Sequence, residues 1–183
     1  MTDAPAPGPA PNPAPAAAGS PDPPPPPPPL TLPEVEALAR AAHQGQTDKA
    51  GRPYAEHLRA VADGVRRRGG DPDQIAAAWL HDAVEDDALS EQQLAGTPLS
   101  PRTKAIVLAL TKRAGQTPQE YAARVLAVPG ALLVKEADLA HNADPERLAV
   151  LGEETRERLT RKYARMRALL GLPRKPLDGP PVA

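Results

Sequence analysis

Between Ala76 and Asp87 the chain reads AAAWLHDAVEDD, an apolar helical run that turns abruptly acidic. His81, Asp82, Glu85 and Asp86 recur at helical spacing, His81–Glu85 and Asp82–Asp86 both being i,i+4, so the four side chains are expected to crowd toward one side of a helix. Three carboxylates that close repel one another, and removing them from water is costly; a divalent cation among them reverses both penalties. The same pattern also fits the solvated acidic end of a surface helix, and a single His-Asp pair does not separate the two readings.

The four histidines are His43, His57, His81 and His141. His57 falls on the apolar stripe of Tyr54, Leu58 and Val61, which turns it toward the core, where a satisfied core histidine and a metal ligand are both open. Asp138 lies in the mainly apolar run LLVKEADLAHN, with Lys135 and Asn142 on its face at i−3 and i+4. A core-facing Asp needs a partner, and a structural ion pair with Lys135 is one. Taken together, His57, His81, Asp82 and Asp138 form a mixed nitrogen and carboxylate set with two negative charges. Such a set suits Mn, Fe, Co or Zn and leaves positions for water and substrate.

The elements that must position these residues are helices with well-marked starts. Thr31–Glu34, Asp71–Gln74, Ser90–Gln93 and Thr117–Glu120 have the form of capping boxes, and Ser100-Pro101 and Asp144-Pro145 place a cap before a proline at the first helical position. Apolar stripes agree: Val35, Leu38, Ala39, Ala42; then Tyr54, Leu58, Val61, Val65; and last Leu159, Tyr163, Met166, Leu170. No alternating strand pattern appears, and the run Ala131 to Val134 is assigned to a helix because a helical spacing follows it. The fold class expected is all-α, with about eight helices in one domain over residues 30–172. Residues 1–29 read as a disordered Pro/Ala-rich tail, since fifteen of the 26 prolines lie at or before Pro33, and residues 173–183 as a flexible C-terminal tail. The polyproline run reads as a passive linker, a ligand for a proline-binding module being the alternative.

Composition narrows the partners. A net charge of −1 over 183 residues gives no electrostatic reason to expect nucleic acid or an anionic membrane as partner. With no cysteine, disulfides and thiolate metal sites are excluded. The absence of a long apolar run or a basic leader points to no membrane partner and to a cytoplasmic location.

The order of motifs resembles the HD-domain hydrolases of the SpoT/Rel type, especially the small alarmone hydrolases and the metazoan SpoT homologue. The matching segments are His43-Gln44-Gly45-Gln46, Gly51-Arg52-Pro53-Tyr54-Ala55-Glu56-His57, Ala78-Trp79-Leu80-His81-Asp82-Ala83-Val84-Glu85-Asp86, Leu110-Thr111-Lys112 and Val134-Lys135-Glu136-Ala137-Asp138-Leu139-Ala140-His141-Asn142. The resemblance implies an HD-domain helical bundle. It also implies one Mn ion on His57, His81, Asp82 and Asp138, with Glu85 and Asp86 assisting the attacking water. Lys49, Tyr54, Thr111, Lys112, Lys135 and Asn142 are then expected on the substrate side. The implied reaction removes pyrophosphate from the 3′ position of guanosine tetra- or pentaphosphate. Metal-assisted water attack suits that chemistry, and Glu85, one turn from His81, is placed to orient or deprotonate the water. No synthetase or regulatory domain is expected after the last helix.

Two positions depart from the pattern. Asp48 stands where many relatives carry an Arg that packs on the guanine base, and Leu58 replaces a Pro after the metal His. A carboxylate cannot supply cationic stacking, so base recognition is expected to differ while the metal centre is kept. The alternatives are a phosphohydrolase of another nucleotide, such as an adenine alarmone or a dinucleotide phosphate, and a non-catalytic metal- or nucleotide-binding module.

Overall fold

A computed structural model describes Gly8 and residues 27–173 of the chain; the two expected tails, 1–29 and 173–183, lie almost wholly outside the described residues. Among those residues run nine helices: α1 Leu32–Ala42, α2 Tyr54–Arg67, α3 Pro72–Leu80, α4 Glu91–Gly96, α5 Pro101–Leu110, α6 Pro118–Ala127, α7 Ala131–Asn142, α8 Pro145–Ala149 and α9 Glu153–Leu169. The only β feature there is an isolated bridge, Thr47 to Pro53, which closes the loop between α1 and α2. The all-α expectation therefore holds, with one helix more than counted from the sequence.

The helix starts follow local chemistry. Asp71 accepts from the Gln74 amide at 3.0 Å while Gln74 accepts from the Asp71 amide at 3.0 Å. Ser90 and Gln93 repeat the exchange for α4, and Thr117 and Glu120 for α6. Each box satisfies two amides that a helix N-terminus otherwise leaves unpaired.

α3 is the centre of the bundle, and every residue from Gln74 to Leu80 is buried. α1, α2, α5 and α7 pack around it, and α6 and α9 close over α7. Its alanines, Ala76 to Ala78, let neighbours approach, while Trp79 and Leu80 fill the space between them. Full burial of a side chain such as Leu58 or Leu80 contributes about 1.5–3 kcal/mol. α2 and α7 come close at Gly64, where an added Cβ would sit 3.2 Å from the Ala137 Cβ. α7 starts at Gly130 (φ 96°), whose carbonyl accepts from Gln74 Nε2 at 3.2 Å. A Cβ there would meet Gln74, Arg102 and Ile106 at 3.1–3.2 Å.

One local expectation is overturned. The acidic stretch does not continue the helix: α3 ends at Leu80, His81 caps it, and residues 81–87 run as successive turns. The Ala83 amide bonds back to Leu80 at 3.0 Å, and Asp87 takes a left-handed φ of 55°. Carboxylates at a helix C-terminus face the negative end of the helix dipole, which disfavours extending α3 through Asp82, Glu85 and Asp86. One i+4 amide bond, Asp86 to Asp82 at 2.9 Å, survives.

Candidate active site

Three elements deliver four donor side chains to one point. His57 comes from the first turn of α2, His81 and Asp82 from the end of α3, and Asp138 from the middle of α7. His57 Nε2 lies 3.6 Å from Asp82 Oδ2 and 3.5 Å from Asp138 Oδ1. His81 Nε2 lies 3.0 Å and 3.6 Å from the same two oxygens. The ligand atoms of His57, His81 and Asp138 all fall within 4.8 Å of one another. Bonds of roughly 2.0–2.2 Å to a common centre would place tetrahedral donors about 3.4 Å apart. The spacing fits a metal ion.

A second group holds every donor. His81 Nδ1 lies 2.8 Å from the Ala78 carbonyl; a bond there makes Nδ1 the donor and turns Nε2 inward. His81 Nε2 is buried without a hydrogen-bond partner, even with Asp82 Oδ2 at 3.0 Å, because the ring nitrogen and the carboxylate are not aligned for one. Tyr54 donates to Asp82 Oδ2 at 2.6 Å; Lys135 and Asn142 donate to the two oxygens of Asp138 at 2.6 and 2.5 Å. His57 Nδ1 meets His141 Nδ1 at 2.7 Å, a separation that needs one proton between the two nitrogens. An orphaned ring nitrogen facing two carboxylates, with each donor held by a second group, fits the donor chemistry of a divalent metal site.

Electrostatics point the same way. Burial lowers the His81 pKa, but Asp82 and Asp138 more than offset it and raise it to about 10. Burial pushes Asp138 up, and Lys135 and His81 outweigh it to hold the carboxyl well below the usual range. Burial and the neighbouring His57 push His141 down to about 4, which keeps it neutral. Burial, then Asp82 and Glu85, raise Asp86.

A cavity of about 630 Å³ opens beside these donors, a size suited to a small-molecule ligand. His57, Asp82, Asp138, Glu85, Asp86, Lys49, Tyr54, Lys112, Lys135 and Asn142 all line it. His81 lies buried behind that lining. Glu85 turns toward Lys112, whose Nζ it meets at 2.5 Å, so Glu85 and Asp86 do not share one helical face with His81. Lys112 and Lys135 each lie 5.5 Å from the ring centre of Tyr121. Thr111 is the exception among the expected residues. It is buried, its hydroxyl donates to the Val107 carbonyl at 3.0 Å at the end of α5, and it does not line the cavity.

The structure also adds residues that sequence reasoning passed over. Lys162, Tyr163 and Met166 reach the cavity from α9, and Arg147 and Leu148 from α8. The apolar stripe of α9 already held Tyr163 and Met166, but nothing local says which helix they face. Asp48 does not hang open. Its Oδ1 accepts from the amides of Ala50 and Arg52 at 2.8 and 3.0 Å, and Oδ2 meets Arg147 Nη1 at 2.9 Å.

The chain is similar to known proteins over part of its length. A probable guanosine-3′,5′-bis(diphosphate) 3′-pyrophosphohydrolase of Synechocystis sp. is 41% identical over 70 residues, 38% of this chain and 9% of that protein. A GTP pyrophosphokinase of Streptomyces coelicolor is 30% identical over 158 residues, 78% of this chain and 18% of that protein. The matched part is thus under a fifth of either relative's length. A solved structure described as "A metazoan ortholog of SpoT hydrolyzes ppGpp and plays a role in starvation responses" superposes with a TM-score of 0.64. It is 23% identical and covers 76% of this chain and 84% of its own, a likeness of fold. Residues 36–127, which carry His57, His81 and Asp82, match the family described as HD domain, and the chain belongs to that family.

Proposed function

We propose that the chain is a Mn-dependent hydrolase that removes pyrophosphate from the 3′ position of guanosine tetra- or pentaphosphate. The observation that carries this is the convergence of His57, His81, Asp82 and Asp138 at 3.0–3.6 Å beside a lysine-bearing cavity. The activity named for the Synechocystis relative and for the metazoan neighbour supports the choice of substrate.

The four donors would hold the ion, which supplies a nucleophile from water near neutral pH and neutralises charge on phosphoryl oxygens. The remaining groups divide the work. Glu85 and Asp86, on the cavity wall, orient the attacking water and accept its proton. Lys112 and Lys135 face phosphate oxygens, Lys112 tied to Glu85 and Lys135 to Asp138. Tyr54 both anchors Asp82 and walls the cavity. Lys49 and Asn142 line the space where the substrate must sit. Water adds to the 3′ phosphorus, the bond from that phosphorus to the ribose oxygen breaks, and the ribose oxygen takes a proton as pyrophosphate leaves. Thr111 has no part, since its hydroxyl is spent on Val107.

The test is pyrophosphate release from guanosine tetraphosphate by purified protein with added Mn, beside a His81→Ala control. Release that disappears in the control is the expected result. No release by the wild type, with release from the adenine analogue instead, would move the assignment to another nucleotide. Nucleotide binding without turnover of any phosphate ester would make the chain a binding module. Among the described residues no helix is long and apolar enough to cross a membrane.

A further inference from the structure

We propose that Arg147, positioned by Asp48, is the residue that selects the base of the substrate. This rests on the functional reading above and adds to it a specificity residue from α8. Asp48 is the pivot. Two amides of its own loop fix Oδ1, and the loop is further closed by the Asp48 amide on the Arg52 carbonyl at 2.8 Å and by the Gly51 amide on the Asp48 carbonyl at 2.9 Å. Oδ2 therefore has one direction, and Arg147 Nη1 sits in it at 2.9 Å. The pair is sheltered, with side-chain exposures of 16% for Arg147 and 4% for Asp48.

The guanidinium has donors to spare. Arg carries five N–H groups, and among the described residues its only acceptor is Asp48. Arg147 nevertheless lines the cavity, as do Leu148 and Leu151 and, from α9, Leu159, Lys162, Tyr163 and Met166. A wall rich in apolar side chains that carries one planar guanidinium suits a flat heteroaromatic ligand. Guanine presents two acceptors, O6 and N7, on one edge, which a guanidinium can meet together; adenine presents one acceptor and one donor there. The lysines of the cavity face a different task, since an ammonium binds phosphate as a point charge and gives no planar match to a base edge. Asp48 and Arg147 thus turn a loop carboxylate into a mount for a base-reading cation brought from a helix about a hundred residues further on.

Steady-state hydrolysis of guanosine 3′,5′-bis(diphosphate) and of its adenosine counterpart by the full chain with Mn tests this. The wild type is expected to prefer the guanine substrate. Arg147→Ala is expected to raise KM for that substrate on the order of ten-fold or more while kcat stays within about two-fold, and to bring the guanine-to-adenine preference toward one. Arg147→Lys should rescue little, because the planar fork is lost. Asp48→Asn keeps the oxygen that accepts from the two loop amides and loses the ion pair, and should fall between wild type and Arg147→Ala. Bound Mn and helical content should stay as in the wild type; if Arg147→Ala does not fold, Arg147→Gln carries the test with its stem retained. An unchanged KM and preference in the folded variant overturns the inference, as does a loss confined to kcat or a wild-type preference for adenine. A wild type inactive on both nucleotides would overturn the functional reading and this one with it, whereas an active wild type with indifferent variants overturns this one alone.

Discussion

The cavity has two unlike walls. The donor wall comes from α2, α3 and α7, helices of the bundle centre, and each of its side chains is held by a second group. The other wall comes from the Thr47–Pro53 loop, the five-residue α8 and the partly exposed α9. There the Asp48–Arg147 ion pair joins the loop to α8. The contrast separates two demands. A cation needs donors held within fractions of an ångström, which buried helices and outer partners provide. A substrate face can vary with loops and short helices that leave the core untouched.

The strongest attempt to break this contrast is removal of a donor. Asp138→Ala or His81→Ala should reduce activity to background and bound Mn from one per chain to none, with the circular dichroism of the helices kept. A retained stoichiometry of one would show that the donor wall lies elsewhere. Next comes an outer partner: Tyr54→Phe removes the 2.6 Å bond to Asp82 and should weaken Mn affinity by about 10–100-fold, read by titration calorimetry.

Acidity sharpens the contrast further. His81 titrates near its ordinary value when unfolded and at about 10 in the folded, metal-free site, where burial opposes the rise and Asp82 and Asp138 drive it. A raised folded value means that the proton stabilises the fold fully below about 6.5 and that this contribution is lost as pH climbs toward 10. Thermal melts in a chelator should therefore fall across that window, and melts with saturating Mn should fall less, because the ion takes the place of the proton. Equal slopes with and without Mn would disconnect His81 from the metal.

The smallest effect is reserved for Thr111, which belongs to neither wall. Thr111→Val should leave KM within about two-fold and cost about 1 kcal/mol of stability through the lost bond to Val107. A large KM change would return Thr111 to the substrate side.

How much of this was legible in the sequence follows from the range of the forces involved. Cap chemistry acts over three residues, so Asp71 with Gln74 and Thr117 with Glu120 could be read directly and are found as boxes in the structure. The donors His57, His81, Asp82 and Asp138 could be singled out because an ionisable group on an apolar face must be partnered, and the structure brings them together. Helical spacing misplaced Glu85, since α3 stops at Leu80 where the acidic run meets the helix dipole. Arg147 gave no signal: its partner lies 99 positions earlier, and only the docking of α8 against the loop brings them into contact. Asp48 looked like a defect for the same reason. Read as an isolated carboxylate it removes a cation; in the folded chain it holds one.

Gly130 extends the reach of the donor wall to a residue with no chemistry of its own. Its left-handed φ of 96° starts α7, and Gln74, Arg102 and Ile106 stand where a methyl group would go. Any L side chain at this position is strained at that φ and crowds the ends of those three side chains, which loads the start of the helix that carries Asp138 two turns downstream. Conserving the four donors would therefore be a poor diagnostic of a working site among diverged copies. A chain with all four donors in place and an alanine at 130 would carry the inventory of the site on a strained helix start, a change that only the handedness of one backbone turn records.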